Sequence, residues 1–433
     1  MKLKLTKSLS LLDLTVFGLN FMIPLAPAIV FGIIVYISGG SVALPYFIGF
    51  IAMLFTGYSF IKMSGKYPDA GSVFVYVSKS LGGSIGFIAG WMITLDYLLS
   101  PAITTASASI YLQEFFPNFP YSILVIAFIS VTGCIAISGV KSVARLGLVI
   151  LIAGELTVIV SLFVWGHHVS SEHGVRALVS SNPFYYTNFR TLLSASSVAA
   201  MCYFGFDAIS AMSEEAKNPS RDIPLAIFLA LFIGAATMIL TGYFASLVQP
   251  DNSVYQQTDW QNAALFLISK IAGGLVYAHL YAIVFITSMV FLNVVAMSAV
   301  SRIIFSMSRD EKLPRIFAKL SPRFNTPYVG ILFVMMIEML TALFIHLELL
   351  SELISFGALS AFLLLNLGVL KIELTDKNIS SRINSLIPLI GLCILMLILE
   401  TINIKALYVC AGWLILGVGI LYVKSKGKQK MLS

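Results

Sequence analysis

Gly18-Leu19-Asn20-Phe21-Met22-Ile23-Pro24-Leu25-Ala26-Pro27 places a glycine and two prolines near the middle of an apolar run extending from about residue 11 to 37. A proline removes one backbone donor and its ring clashes with the preceding turn, so a helix cannot cross this stretch unbroken. Interrupted backbone survives inside a bilayer only where protein or a watery cavity satisfies its polar groups. The stretch therefore predicts a membrane helix broken at mid-depth beside a cavity. A second apolar run, about 191–213, carries Tyr203-Phe204-Gly205-Phe206-Asp207, a glycine beside an acid at similar depth.

The rest of the chain has the matching composition. Of 433 residues, 58% are apolar and only 11% are charged, whereas a soluble domain is nearer half apolar and about one quarter charged. An ordinary soluble enzyme, a disordered chain and a secreted disulfide scaffold are excluded. Apolar runs long enough to span a bilayer as helices lie near 11–37, 43–62, 85–112, 121–139, 147–166, 191–213, 223–248, 275–301, 328–346, 350–371, 384–401 and 405–424. The expected fold is an all-α polytopic membrane protein with twelve transmembrane helices, discontinuous in the first and sixth. No remaining stretch is long enough for a soluble domain.

Charge placement tests the count. With both termini on the cytoplasmic side, 23 of the 27 basic residues fall inside, and only Arg176, Arg190, Lys270 and Lys405 fall outside. That split follows the positive-inside rule, which also accounts for the net charge of +7 without nucleic acid. The short basic leader Met1 to Lys7 has no cleavable signal peptide after it. Cys134, Cys202, Cys393 and Cys410 lie in apolar segments without paired spacing and are expected as buried, inert thiols. His167, His168, Glu172 and His173 suit a wet juxtamembrane loop better than a metal site. No metal or cofactor is expected.

The two interruptions occupy corresponding positions if spans one to five (about 11–166) and six to ten (about 191–371) form a five-plus-five inverted repeat, with two further helices over about 384–424. Paired breaks at corresponding positions of two halves mark the binding site of a secondary transporter. Acids at depth add to this, because a central carboxylate is costly and needs a reason. Asp96, Glu155, Asp207 and Glu338 qualify. Asp96, Glu155 and Asp207 are the candidates for proton coupling, since buried carboxyls exchange protons near neutral pH. Candidate solute-binding residues are Met22, Ile23, Pro24, Asp96, Ser100, Tyr203, Phe204, Gly205, Phe206, Asp207 and Asn293. Ser100 follows Asp96 by one helical turn and shares its face. Phe204 and Phe206 offer π faces to a cation, as do Trp91 and Tyr97 less specifically. Thr104, Asn293, Ser298 and Ser301 either line a path or bind helices together. In Glu214-Glu215-Ala216-Lys217-Asn218-Pro219-Ser220-Arg221-Asp222-Ile223-Pro224, Asp222 is the expected N-cap of the next helix. A cytoplasmic salt bridge or a solvated loop are both open there.

Further stretches resemble the amino acid–polyamine–organocation permease superfamily over nearly the whole chain. They are Gly18 to Phe31, Pro68 to Tyr76, Gly86 to Trp91, Tyr203 to Pro224 and Ser301 to Pro314. Leu95-Asp96-Tyr97-Leu98 and the Met22-Ile23-Pro24 break look like the branch of bacterial putrescine importers and related amino acid permeases. The resemblance implies the inverted-repeat fold, proton-coupled alternating access and a solute held between spans one, three, six, eight and ten. The implied partners are an amino acid or polyamine, a coupling proton and membrane lipid. Two features depart from the family. Met22-Ile23-Pro24-Leu25-Ala26 replaces the Gly-Ser-Gly turn whose amides bind a substrate carboxylate in many amino acid members, and span five carries Glu155 but no lysine.

The expected function is import of a small amine-bearing solute, leaning to a diamine, across the inner (plasma) membrane. A neutral or basic amino acid exchanger is the alternative. An intramembrane aspartyl hydrolase would need its two aspartates paired as acid and base, and a passive channel would need a filter or charged ring. The hydrolase leaves the repeat pattern unexplained, and the sequence shows no repeated filter or charged ring for a channel.

Overall fold

The computed structural model describes residues 9–67, 73–139, 143–213, 215–309, 314–376 and 379–430. Pro68 to Ser72 of the resemblance, Glu214, and the basic residues Lys2, Lys4, Lys7, Lys141, Lys312 and Lys377 lie outside them. Everything of length among the described residues is helical, as required where lipid offers the backbone no hydrogen bonds.

The first broken span is α1 (Leu11–Met22) and α2 (Pro27–Ser38), bent by 51° relative to one another. Ser10 caps α1: its N–H donates to Asp13 Oδ2 at 2.9 Å, and the Asp13 N–H donates to the Ser10 hydroxyl at 3.4 Å. The helix stops at Ile23, whose φ of +50° is a left-handed value that a β-branched residue rarely adopts. Pro27 restarts it as the first residue of α2, where its missing N–H is harmless.

Next come α3 (Ala43–Lys66), α4 (Val73–Leu81), α5 (Gly83–Gln113), α6 (Tyr121–Ser138) and α7 (Val143–His173). The second broken span is α8 (Phe189–Met201) and the single turn α9 (Ala208–Ala211). It is followed by α10 (Pro219–Val248), the short α11 (Thr258–Asn262), α12 (Ala264–Arg309), α13 (Tyr328–Phe344) and α14 (Leu347–Thr375). The chain closes with α15 (Ile379–Asn384), α16 (Leu386–Glu400) and α17 (Ile404–Lys430). Among the described residues nine helices are long and apolar enough to cross a membrane, and the bent α1–α2 pair makes ten. The remaining expected spans correspond to α13, with 17 residues, and to the interrupted α8–α9 segment.

Several boundaries differ from expectation. The fifth span runs on to His173, because nothing breaks the helix before Gly174, where φ is +79°. His167, His168, Glu172 and His173 are thus in the last turns of α7 rather than a loop. The cap expected at Asp222 is at Asn218, and Pro219 opens α10. Asp222 lies in the first turn, where its charge favours the helix dipole. Gly274, with φ +77°, interrupts α12, so its long segment begins near the expected residue 275.

Helices α5 and α14 pack along one another at the centre, against the broken spans, α3 and α12, and α10 packs on α1 and α3. The α3–α14 contact is polar: the Ser59 hydroxyl donates to Asn366 Oδ1 at 2.5 Å, and Asn366 Nδ2 donates to Thr56 Oγ1 at 3.1 Å. The periphery is apolar and exposed, as at Phe163, Tyr408 and Ile415, which is the surface lipid solvates. Cys202 and Cys410 are buried as expected, but Cys134 and Cys393 are exposed on this outer surface.

Candidate solute-binding site

The two interruptions meet. Gly205 has φ +115°, a conformation suited to glycine, and a Cβ built there would fall 2.5 Å from the Cβ of Phe21. Around this contact lies a cavity of about 240 Å3 walled by both broken spans, α5, α12 and α14. Met22, Ile23, Phe204, Gly205 and Asp207 line it from the breaks, and Asp96 and Ser100 line it from α5.

Local geometry fixes both acids. The Ser100 hydroxyl donates to the Asp96 carbonyl at 2.8 Å and reaches Asp96 Oδ1 at 3.1 Å. Asp207 Oδ1 accepts the Gly205 N–H at 3.1 Å, so the carboxylate satisfies a donor that the broken helix has freed. Gly357 lets α14 approach α5 beside Asp96: a Cβ there would lie 2.8 Å from the Met92 carbonyl oxygen. The wall is otherwise chiefly apolar, including Ile29, Tyr97, Ile103 and Ile354. The cavity thus presents two carboxyl groups in an apolar chamber.

Four expected site residues lie off this wall. Pro24 is buried and packs toward α7, where a Cβ at Gly154 would sit 3.5 Å from its ring. Tyr203 turns toward α3 and donates its hydroxyl to the Tyr46 carbonyl at 2.8 Å. Phe206 packs against Phe60 at 5.4 Å and Phe362 at 5.8 Å between ring centres. Phe204 faces the cavity and sets its ring 5.7 Å from Phe362. Successive residues in a turn point different ways, so proximity in sequence does not put 203, 204 and 206 on one surface. Asn293 is fully buried, donating to the Pro101 carbonyl at 3.0 Å and to Glu338 Oε1 at 2.6 Å.

The other acids are dispersed. Glu155 is on α7, where the Thr237 hydroxyl of α10 donates to Oε2 at 3.4 Å. Glu352 and Glu373 of α14 are buried and were not singled out by the sequence; Glu373 pairs with Lys62 at 3.0 Å. Trp91 stacks on Trp413 of α17 at 4.4 Å, remote from the cavity wall. Leu292, Ala296 and Ala299, three to four residues apart on α12, also face the chamber. Their helical spacing was the signal that could have found them.

A second cavity of about 230 Å3 lies between α1, α7 and α12 and includes Leu9, Asp13 and Asn20. Phe17, Phe21 and Leu292 line both cavities, so one layer of side chains divides them. A larger cavity, about 750 Å3, lies at the C-terminal end of α5 and contains Glu114, Asp259, Lys270 and His279. Burial pushes the Glu114 carboxyl above its ordinary range, with Lys270 opposing.

A chamber between two interrupted membrane helices is the arrangement of a membrane permease. The chain belongs to the amino acid permease family, whose model matches residues 9–422. It is 33% identical to the low-affinity putrescine importer PlaP of Escherichia coli over 85% of this chain and 81% of that protein. It is 24% identical to the branched-chain amino acid permease BcaP of Bacillus subtilis, over 99% of this chain and 95% of the relative. Similarity to cationic amino acid transporter 4 of Mus musculus is 28% identity over 84% of this chain and 59% of the relative.

Proposed function

We propose that this permease is a secondary active importer of a small amine-bearing solute, leaning to a diamine such as putrescine, coupled to protons by alternating access. The observation that carries the reading is the pair Asp96 and Asp207 on the wall of one largely apolar cavity. Two carboxylates suit two ammonium groups, and the Phe204 ring and the aliphatic wall suit the methylene chain between them.

The first break supports the same choice. Pro24 has no amide hydrogen, the Ile23 amide donates to the Leu19 carbonyl, and the Ala26 amide donates to the Ile23 carbonyl at 2.9 Å. Two of the turn's amides, those of Ile23 and Ala26, are therefore engaged within the helix and turn, and Pro24 has none to offer an α-carboxylate. The similarity to a putrescine importer agrees with this. The apolar lining favours a second reading, a branched-chain or cationic α-amino acid, as the names of other relatives suggest.

Twelve spans, the five-plus-five inverted repeat, a plasma-membrane location and cytoplasmic termini belong to this proposal. It is supported by the paired breaks and by the distribution of basic residues. The deciding experiment is uptake of radiolabelled putrescine, lysine and leucine by proteoliposomes under an imposed proton gradient. Concentrative putrescine uptake sustains the diamine reading, and concentrative uptake of leucine alone replaces it. Only downhill flux under the gradient would indicate a channel.

A further inference from the structure

Resting on the transporter reading, we propose that Glu338, held by Asn293 and Thr105 beside the central cavity, is a proton-binding site of the transport cycle. Glu338 is on α13 and wholly buried. Its Oε1 accepts from the Thr105 hydroxyl and from Asn293 Nδ2, whereas its Oε2 has no hydrogen-bond partner. An ionised carboxylate offers about four lone-pair sites, and an unpaired charge at depth is costly. A proton taken from water onto Oε2 makes the group a neutral acid, and release of that proton to water restores the carboxylate.

Among the described residues no cation pairs with Glu338, and no titratable group of the packed helices bonds to it. On α5, Asp96 and Tyr97 line the central cavity, and the Tyr111 hydroxyl donates to the Ala28 carbonyl at 3.2 Å. On α6, the Tyr121 hydroxyl donates to the Ala342 carbonyl at 3.1 Å, and Cys134 is exposed. On α12, Lys270 and His279 border the large cavity at the end of α5, Tyr277 meets Ser161, and Tyr281 lies near Tyr111 and Tyr277. Arg302 is exposed. Arg315 belongs to the turn that meets the start of α13 through Phe317 and Phe333. Tyr328 opens α13.

The same cluster holds α5 at Pro101, a proline inside the helix. Asn293 Nδ2 is within 3.0 Å of the Pro101 carbonyl, Thr104 Oγ1, Thr105 Oγ1 and Glu338 Oε1, yet an amide has only two protons to give. A charged Glu338 holds one of these protons strongly, and a neutral one releases it to the α5 acceptors. Thr104 also lines the central cavity, and Ser100 precedes Pro101 directly. Proton occupancy at Glu338 thus alters the turn of α5 that carries cavity residues, without Glu338 touching the solute.

The test compares wild-type protein with Glu338→Gln, in proteoliposomes supplied with radiolabelled putrescine, lysine or leucine. Counterflow at equal pH reads binding and exchange, and accumulation under an inward proton gradient reads coupling. The expected result is counterflow within about twofold of wild type and a loss of about tenfold or more in gradient-driven accumulation, a size usual for coupling between linked sites. Undiminished gradient-driven accumulation overturns the proton site while leaving the solute reading intact. Wild-type transport indifferent to the gradient also overturns it. If no solute enters wild-type vesicles, the solute reading fails; if Glu338→Gln lacks counterflow, the variant has lost more than a proton. In both cases pH-difference infrared spectra of purified protein decide. A titrating carboxylic-acid carbonyl band, lost in folded Glu338→Gln or in Glu338→Asp moved in position, sustains the site. No such band in the wild type overturns it.

Discussion

Gly205 lies directly against Phe21, with room for no side chain: a Cβ on Gly205 would be 2.5 Å from Phe21 Cβ and 3.2 Å from the Met22 nitrogen. Two interruptions separated by more than 180 residues are therefore a single contact, and the cavity lies beside it. An added methyl must push the breaks apart, and φ of +115° is itself unfavourable for any other residue. Gly205→Ala is expected to lose about 1–3 kcal/mol of stability, the usual scale of forced backbone strain. Thermal unfolding in detergent should show the loss, and solute uptake should fall with it.

Asp96 and Asp207 face one chamber, so their effects on a diamine should not add. Each of Asp96→Asn and Asp207→Asn is expected to raise Kd for putrescine about 10–100-fold, equivalent to about 1.4–2.8 kcal/mol. A double-mutant cycle by calorimetry should give a coupling outside the roughly 0.3–0.5 kcal/mol scatter of independent sites. Unchanged binding in Asp207→Asn would remove that residue from the site.

The division between what sequence showed and what it did not follows the physics. Proline and glycine at mid-depth disturb any helix, so the breaks were legible at Pro24 and Gly205 without coordinates. The two acids beside the cavity were legible because charge in lipid demands a reason. Direction within a break was not: Tyr203 and Phe206 leave the cavity, whereas Phe204 faces it, because the turn geometry rather than helical period aims them. Glu373 was overlooked because its partner Lys62 is more than 300 positions away in the chain. Asn293 looked like a solute ligand, yet it lies off the cavity wall and its amide nitrogen is occupied by the Pro101 carbonyl and Glu338.

Lys62 and Glu373 join α3 to α14 at 3.0 Å, with Glu373 buried and Lys62 42% exposed. Removing the lysine leaves an unpaired buried carboxylate, a larger penalty than losing the pair together. Lys62→Met is expected to lower stability by about 1–3 kcal/mol, discounted for the exposed lysine. Adding Glu373→Gln should recover most of it. Melting of the two single variants and the double variant measures the recovery, and simple additivity would show that the pair is not coupled.

Phe17, Phe21 and Leu292 form the one layer shared by the central cavity and the second cavity beside Leu9 and Asp13. Phe17 and Phe21, one turn apart on α1, set their ring centres 5.0 Å from one another. Cys202 lies on the central side of this layer, which makes its thiol a reporter of passage. In a chain with Cys134, Cys393 and Cys410 changed to serine, a small water-soluble thiol reagent should label Cys202 slowly. Phe17→Ala thins the layer, and a shift of about 1.4 kcal/mol toward an open path would speed labelling about tenfold. Saturating putrescine should slow labelling in both proteins by filling the cavity. Equal rates with and without Phe17 would show that water reaches the chamber by another route, and that the aromatic layer is packing rather than a barrier.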